Sequence, residues 1–187
     1  MTRLLGAIAV TVLSLACGRQ AAPPVATPAP FAPTPHANLA QMMRGIPFTF
    51  SNIVFDAQSE DPGQTRLPAE VGGGATATFK NVYGGWQAVE NSGLALAEAA
   101  TLAMVPGRRC ENGKPVPVDD AIYRKAAEGL ADAGRAAYRA AQSKSRDAML
   151  EVSDTVATAC ANCHEPYRDF DDPKDRCTPR EVARPAE

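Results

Sequence analysis

Apolar side chains recur at helical spacing along four stretches of this chain, with polar residues between them. The first stretch runs from about Asn38 to Asp56, where Leu39, Met42, Met43, Ile46, Phe50, Ile53 and Val54 return every three or four residues. Pro47 interrupts it. Proline has no amide hydrogen and clashes with the preceding turn, so the segment kinks near Ile46 or restarts there. The second stretch covers about Ala77 to Val105, with Phe79, Val82, Tyr83, Trp86, Val89, Gly93, Leu96, Ala100 and Met104 on one face and Pro106-Gly107 as its stop. The third starts near Asp119, whose carboxylate can cap it, and shows Ile122, Tyr123, Ala126, Leu130, Ala133, Ala137 and Tyr138. A break around Ser143-Lys144-Ser145 precedes the fourth, marked by Met149, Val152, Val156 and Ala159.

Alternation of period two is nearly absent and alanine is abundant, so the chain is predicted to be all-α. Short connections make neighbouring helices antiparallel, which predicts an up-down-up-down four-helix bundle over residues 37–170. Most of these stripe residues are core, and Trp86 is a core or site-edge residue before anything catalytic. The long first connection carries Asp61-Pro62-Gly63 and Gly72-Gly73-Gly74. No Gly-Lys-Ser/Thr follows the triple glycine, so it reads as a flexible loop and not a phosphate cradle. With 19 basic and 21 acidic residues, the chain has no electrostatic footprint for nucleic acid.

The two ends read differently from this domain. Residues 1–16 resemble a secretory signal, with Arg3 ahead of an apolar run from Leu4 to Leu15 that is too short to span a bilayer. Leu13-Ser14-Leu15-Ala16-Cys17 resembles a bacterial lipoprotein processing box, although Leu15 stands where a smaller residue is more usual. On that reading Cys17 becomes the lipid-modified N-terminus, a membrane anchor; the alternative is ordinary cleavage after Ser-x-Ala. Either route exports the chain to the periplasm. Residues 17–36 include Pro23, Pro24, Pro28, Pro30, Pro33 and Pro35 and predict an extended tether. Residues 171–187 form a polar tail.

The fourth stretch continues into Cys160-Ala161-Asn162-Cys163-His164, the C-x-x-C-H attachment signature of a c-type haem. Two thiols add to the porphyrin vinyl groups, and a spacing of three puts both sulfurs on one side of a helical turn. His164 then lies close enough to ligate the iron. A structural zinc site would need four ligands, yet Cys110 and Cys177 stand alone in the sequence and His36 lies in the Pro-rich segment. A thioredoxin-type pair wants a βαβ setting, and no strand-like run precedes Cys160. No base, nucleophile or substrate metal site accompanies the motif, so a carrier is expected and not an enzyme.

Four helices with C-x-x-C-H on the last resemble the class II cytochromes c, the cytochrome c prime group. Tyr167 and Arg168 match that group's aromatic and basic residues after the histidine; Pro166 departs from it and is expected to bend the helix just after His164. The resemblance implies one covalent haem c, with His164 as proximal ligand and redox proteins as partners. It also implies one of two functions. A methionine from the first helix gives an electron carrier, whereas an open sixth position gives an NO- or CO-binding protein. Met43 shares a stripe with Leu39, Ile46 and Phe50 and precedes Arg44, as the ligand methionine often does in such relatives. Met42 is the other candidate, and both can instead be core. Met104, Met149 and His36 are poorly placed for ligation. Arg168 reaches a haem propionate or is simply solvated. Pairing of relatives through their first helices admits a homodimer.

Once Cys17 is assigned to processing and Cys160 and Cys163 to haem, Cys110 and Cys177 remain, in an oxidising compartment. In an up-down bundle the ends of the second and fourth helices lie together, so a Cys110–Cys177 disulfide is expected. Two free thiols, or one thiol joining subunits, are the alternatives.

Overall fold

The computed structural model describes residues 33–64 and 84–178. The signal segment, Cys17, the tether up to residue 32, the triple glycine, the stretch 77–83 and the tail from residue 179 lie outside the described residues.

Helix α1 (Leu39–Gly45) begins at a reciprocal cap. The Asn38 side chain accepts from the Gln41 amide at 2.8 Å, and Gln41 Oε1 accepts from the Asn38 amide at 3.0 Å. It stops at Ile46, because the residue before a proline is pushed out of the helical region. Pro47 opens helix α2 (Pro47–Asp56), where its missing amide hydrogen costs nothing. Of the two outcomes the proline allowed, the chain restarts. Helix α3 spans Gly85–Ala103, starting later than the stretch expected from Ala77, because Gly84 is extended and stands as its N-cap. Helix α4 (Ala121–Gln142) is capped by Asp120, not Asp119: Asp120 Oδ1 accepts from the amides of Ile122 and Tyr123 at 2.8 and 3.2 Å. Ser145 caps helix α5 (Arg146–Tyr167), accepting from the Ala148 amide at 3.3 Å.

Pro166 does not end the helix at His164. Helix α5 runs through Pro166 to Tyr167. Proline in the last turn removes only the bond to the Asn162 carbonyl, and Asn162 is solvent-exposed. The His164 carbonyl then closes the helix by accepting from the amides of both Arg168 and Asp169, at 2.8 and 2.9 Å.

Four helices pack against one another: α3 lies on α4, α4 on α5, and α2 on both α3 and α5. Their shared core includes Val54, Val89, Leu96, Leu130, Met149, Val152 and Val156. Trp86 is partly buried against it. The α3–α4 contact depends on glycine: a Cβ on Gly93 would come within 2.5 Å of the Tyr138 nitrogen, and one on Gly134 within 2.6 Å of the Ala97 nitrogen. The two backbones approach closely because these positions carry no side chain. Among the described residues there is no strand, only an isolated antiparallel bridge between Arg109 and Pro115, and no helix is long and apolar enough to cross a membrane.

The connection from α3 to α4 is ordered by its own bonds. Buried Arg108 donates to the Ala37 carbonyl at 2.6 Å and to the Leu102 carbonyl at 3.0 and 3.2 Å, tying the entry of α1 to the end of α3. The segment after α5 docks on this connection. Asn112 Nδ2 reaches the carbonyls of Pro173, Lys174 and Arg176, and the Cys177 amide donates to the Tyr167 carbonyl at 2.8 Å. Cys110 and Cys177 are joined in a disulfide with their Cα atoms 6.5 Å apart.

Candidate haem site

A cavity of about 620 Å³ opens between α1, α2, α4 and α5, inside the usual range for cofactor sites of roughly 300–1,000 Å³. Helix α5 brings Cys160, Cys163 and His164 to its wall; on a helix these positions fall within about 100° of one another. Helix α1 brings Met43, and α2 and α4 add apolar side chains such as Phe55 and Leu130. The disulfide borders the same space, as do Arg44, Arg168 and Arg176.

The two neighbouring methionines part company. Met42 is buried, 6% exposed, and does not line the cavity, whereas Met43 does. Consecutive helical side chains point about 100° apart, so packing one into the interior turns the other to the cavity. Met149 is fully buried in the bundle core, Met104 packs beside the disulfide, and His36 is exposed ahead of α1.

Burial sets the protonation of the motif. It pushes the Cys160 thiol up, and it pushes Cys163 up to about 11 with help from its neighbour Cys160, against the opposing pull of Arg168. Both are thiols at neutral pH and neither is in a disulfide. Reactive dithiol pairs have depressed values, so the electrostatics here run opposite to a thioredoxin-like site. Burial, then the charge of Arg168, holds His164 below its ordinary value against Asp169, leaving a neutral imidazole with a free lone pair. Among the described residues no cluster of three or more His, Cys, Asp and Glu side chains is assembled to hold a bare metal ion.

Two tyrosines complete the inner end of the site. Tyr123 and Tyr167 meet edge to face with ring centroids 5.3 Å apart, and both line the cavity. The Tyr167 hydroxyl donates to Asp120 Oδ1 at 2.7 Å, so the oxygen that caps α4 also fastens the end of α5. That hydrogen bond is the main reason Asp120 lies below the usual carboxylate range. Burial is the first cause raising Tyr167, and the bond to Asp120 the second.

The periodicity that marked Tyr123 as a stripe residue carried no sign of the Asp120–Tyr167 link. Nor did Glu111 stand out, although it pairs with Arg44 at 3.1 Å and Arg176 at 3.4 Å at the cavity edge. No protein-family model, curated protein or solved structure matches this chain.

Proposed function

We propose that the protein is an exported c-type mono-haem cytochrome that carries single electrons between periplasmic redox proteins. One observation carries this reading: Cys160, Cys163 and His164 share a single, mainly apolar cavity with Met43. Cys160 and Cys163 would hold the macrocycle through thioethers, and His164 and Met43 would be the side chains that ligate its iron. Bound there, haem supplies a one-electron couple, and thioether ligation shifts it toward the reduced state. The residues do the rest. Leu130 and Phe55 exclude water, and the neutral imidazole is ready to ligate.

A carrier suits this environment better than a catalyst. The tyrosine hydroxyls nearest the motif are already engaged, Tyr123 with the Ala103 carbonyl at 3.4 Å and Tyr167 with Asp120. The packed helices fit an antiparallel up-down bundle, since α4 and α5 are joined only by Ser143, Lys144 and Ser145. Export and lipidation at Cys17 rest on the sequence pattern of residues 1–17.

Protein produced with a working haem-maturation system should give the pyridine haemochrome spectrum of c-type haem at one haem per chain. Zinc in place of haem would refute the reading. Ferrous protein should be indifferent to CO; prompt CO binding would replace electron transfer with gas binding at an open iron. Labelled palmitate should enter the wild-type chain and not Cys17→Ser, and labelling of neither would leave a soluble exported protein.

A further inference from the structure

We propose that the Phe48 ring covers the bound macrocycle beside Met43 and keeps outside ligands from the iron, with the helix break at Pro47 as the device that brings it there; this rests on the haem reading above. On an unbroken helix Met43 and Phe48 would point about 140° apart, toward different surroundings. Both nevertheless line the cavity. The break reconciles them. Ile46, at φ −121° and ψ −74°, leaves the helical region between α1 and α2, and Pro47 restarts the helix.

This face of α2 suits an apolar cover. Phe48, Ser51, Asn52 and Phe55 recur at i, i+3, i+4 and i+7, and all line the cavity. None is charged, and the two polar ones are turned back on their own turn: Ser51 Oγ and Asn52 Nδ2 donate to the Phe48 carbonyl at 3.2 and 2.5 Å. Phe48 itself is 68% exposed, the most exposed large hydrophobic side chain among the described residues. The others, Leu94, Leu102, Ile122 and Leu150, lie outside the cavity lining. A phenyl ring held in water at the rim of an apolar cavity is unfavourable until a flat apolar surface meets it. The macrocycle is such a surface. An outside ligand that displaces Met43 must then displace Phe48 as well.

The test uses holoprotein of wild type, Phe48→Ala, Phe48→Leu and, as a control away from the cavity, Leu150→Ala, each first checked for one haem per chain. In ferrous wild type, proton NMR should find the Phe48 ring protons moved from ordinary aromatic positions by the ring current of the macrocycle, with nuclear Overhauser contacts to haem methyl groups. Ferric protein titrated with imidazole and read by absorbance should bind it about tenfold more tightly in Phe48→Ala, the factor that roughly 1.4 kcal/mol of lost apolar cover supplies. Phe48→Leu, which keeps most of the bulk, should lie between, and Leu150→Ala should match wild type. Phe48 protons at ordinary positions overturn the proposal, and this measurement carries the test if Phe48→Ala fails to mature. So does a Phe48→Ala affinity equal to wild type, or an equal rise in Leu150→Ala, which would mark general loosening. Phe48 signals that move only with protein concentration overturn it too, because a second copy then covers the ring. Wild type without haem defeats the parent reading, whereas haem present with Phe48 unmoved defeats only this one.

Discussion

Replacing both Cys110 and Cys177 by serine removes a crosslink between residues separated by 67 positions. In the chain-entropy picture, closing a loop of that length restricts the unfolded chain by about 4 kcal/mol. Part of this is returned in the variant. Cys177 sits at φ +63°, a left-handed conformation that costs an L residue roughly 1–2 kcal/mol and relaxes once the segment is released. The net loss should therefore be about 2–3 kcal/mol. With a urea dependence of roughly 2 kcal/mol per molar, the unfolding midpoint falls by about 1–1.5 M. The assay is urea unfolding by far-ultraviolet circular dichroism at matched haem content, on oxidised wild type, wild type reduced with dithiothreitol, and Cys110→Ser/Cys177→Ser. Reduced wild type and the double variant should coincide. A double variant with an unchanged midpoint would refute the reasoning, and so would reduced wild type as stable as oxidised.

Four further outcomes follow from the packing and the site. Tyr167→Phe, which removes the hydroxyl donor to Asp120, should destabilise the protein at neutral pH by about 1–2 kcal/mol in the same urea assay. Because the folded-state value of Asp120 is depressed, its contribution is complete above the ordinary carboxylate range and lost as pH falls through the lower folded value. Acid unfolding should therefore begin at higher pH in Tyr167→Phe, and its stability should converge with wild type in strong acid. Gly93→Ala should lower stability by about 1–3 kcal/mol through backbone collision with Tyr138, whereas Gly129→Ala, where a Cβ meets nothing within 4 Å, should raise it by about 0.5–1 kcal/mol. Met43→Leu holoprotein should bind CO promptly in the ferrous state while Met42→Leu remains indifferent, as stopped-flow absorbance can establish.

Local information in the chain was enough for the helical class and for the breaks between most helices, although α3 starts at Gly85 and not near Ala77. Periodic apolar positions, alanine, and the break at Pro47 act over one or two turns, and the Ser143–Ser145 turn ends one helix and caps the next. Cys160, Cys163 and His164 were legible for the same reason: positions i, i+3 and i+4 on one helix share a face wherever that helix is packed. Choosing Asp120 over Asp119 as the cap was not legible, because the two carboxylates are adjacent and the hydroxyl of distant Tyr167 meets only one of them. Which of Met42 and Met43 turns to the cavity depends on where the rest of the molecule packs against α1. Elimination could name Cys110 and Cys177 as leftover cysteines, but their approach to 6.5 Å depends on Asn112 and Tyr167 docking the segment after α5. That Phe48 joins Met43 at one cavity belongs to the same class of fact. Pro47 announced a break, but the direction α2 takes after it is set by packing on α3 and α5, far away in the chain, so only the tertiary structure could reveal it.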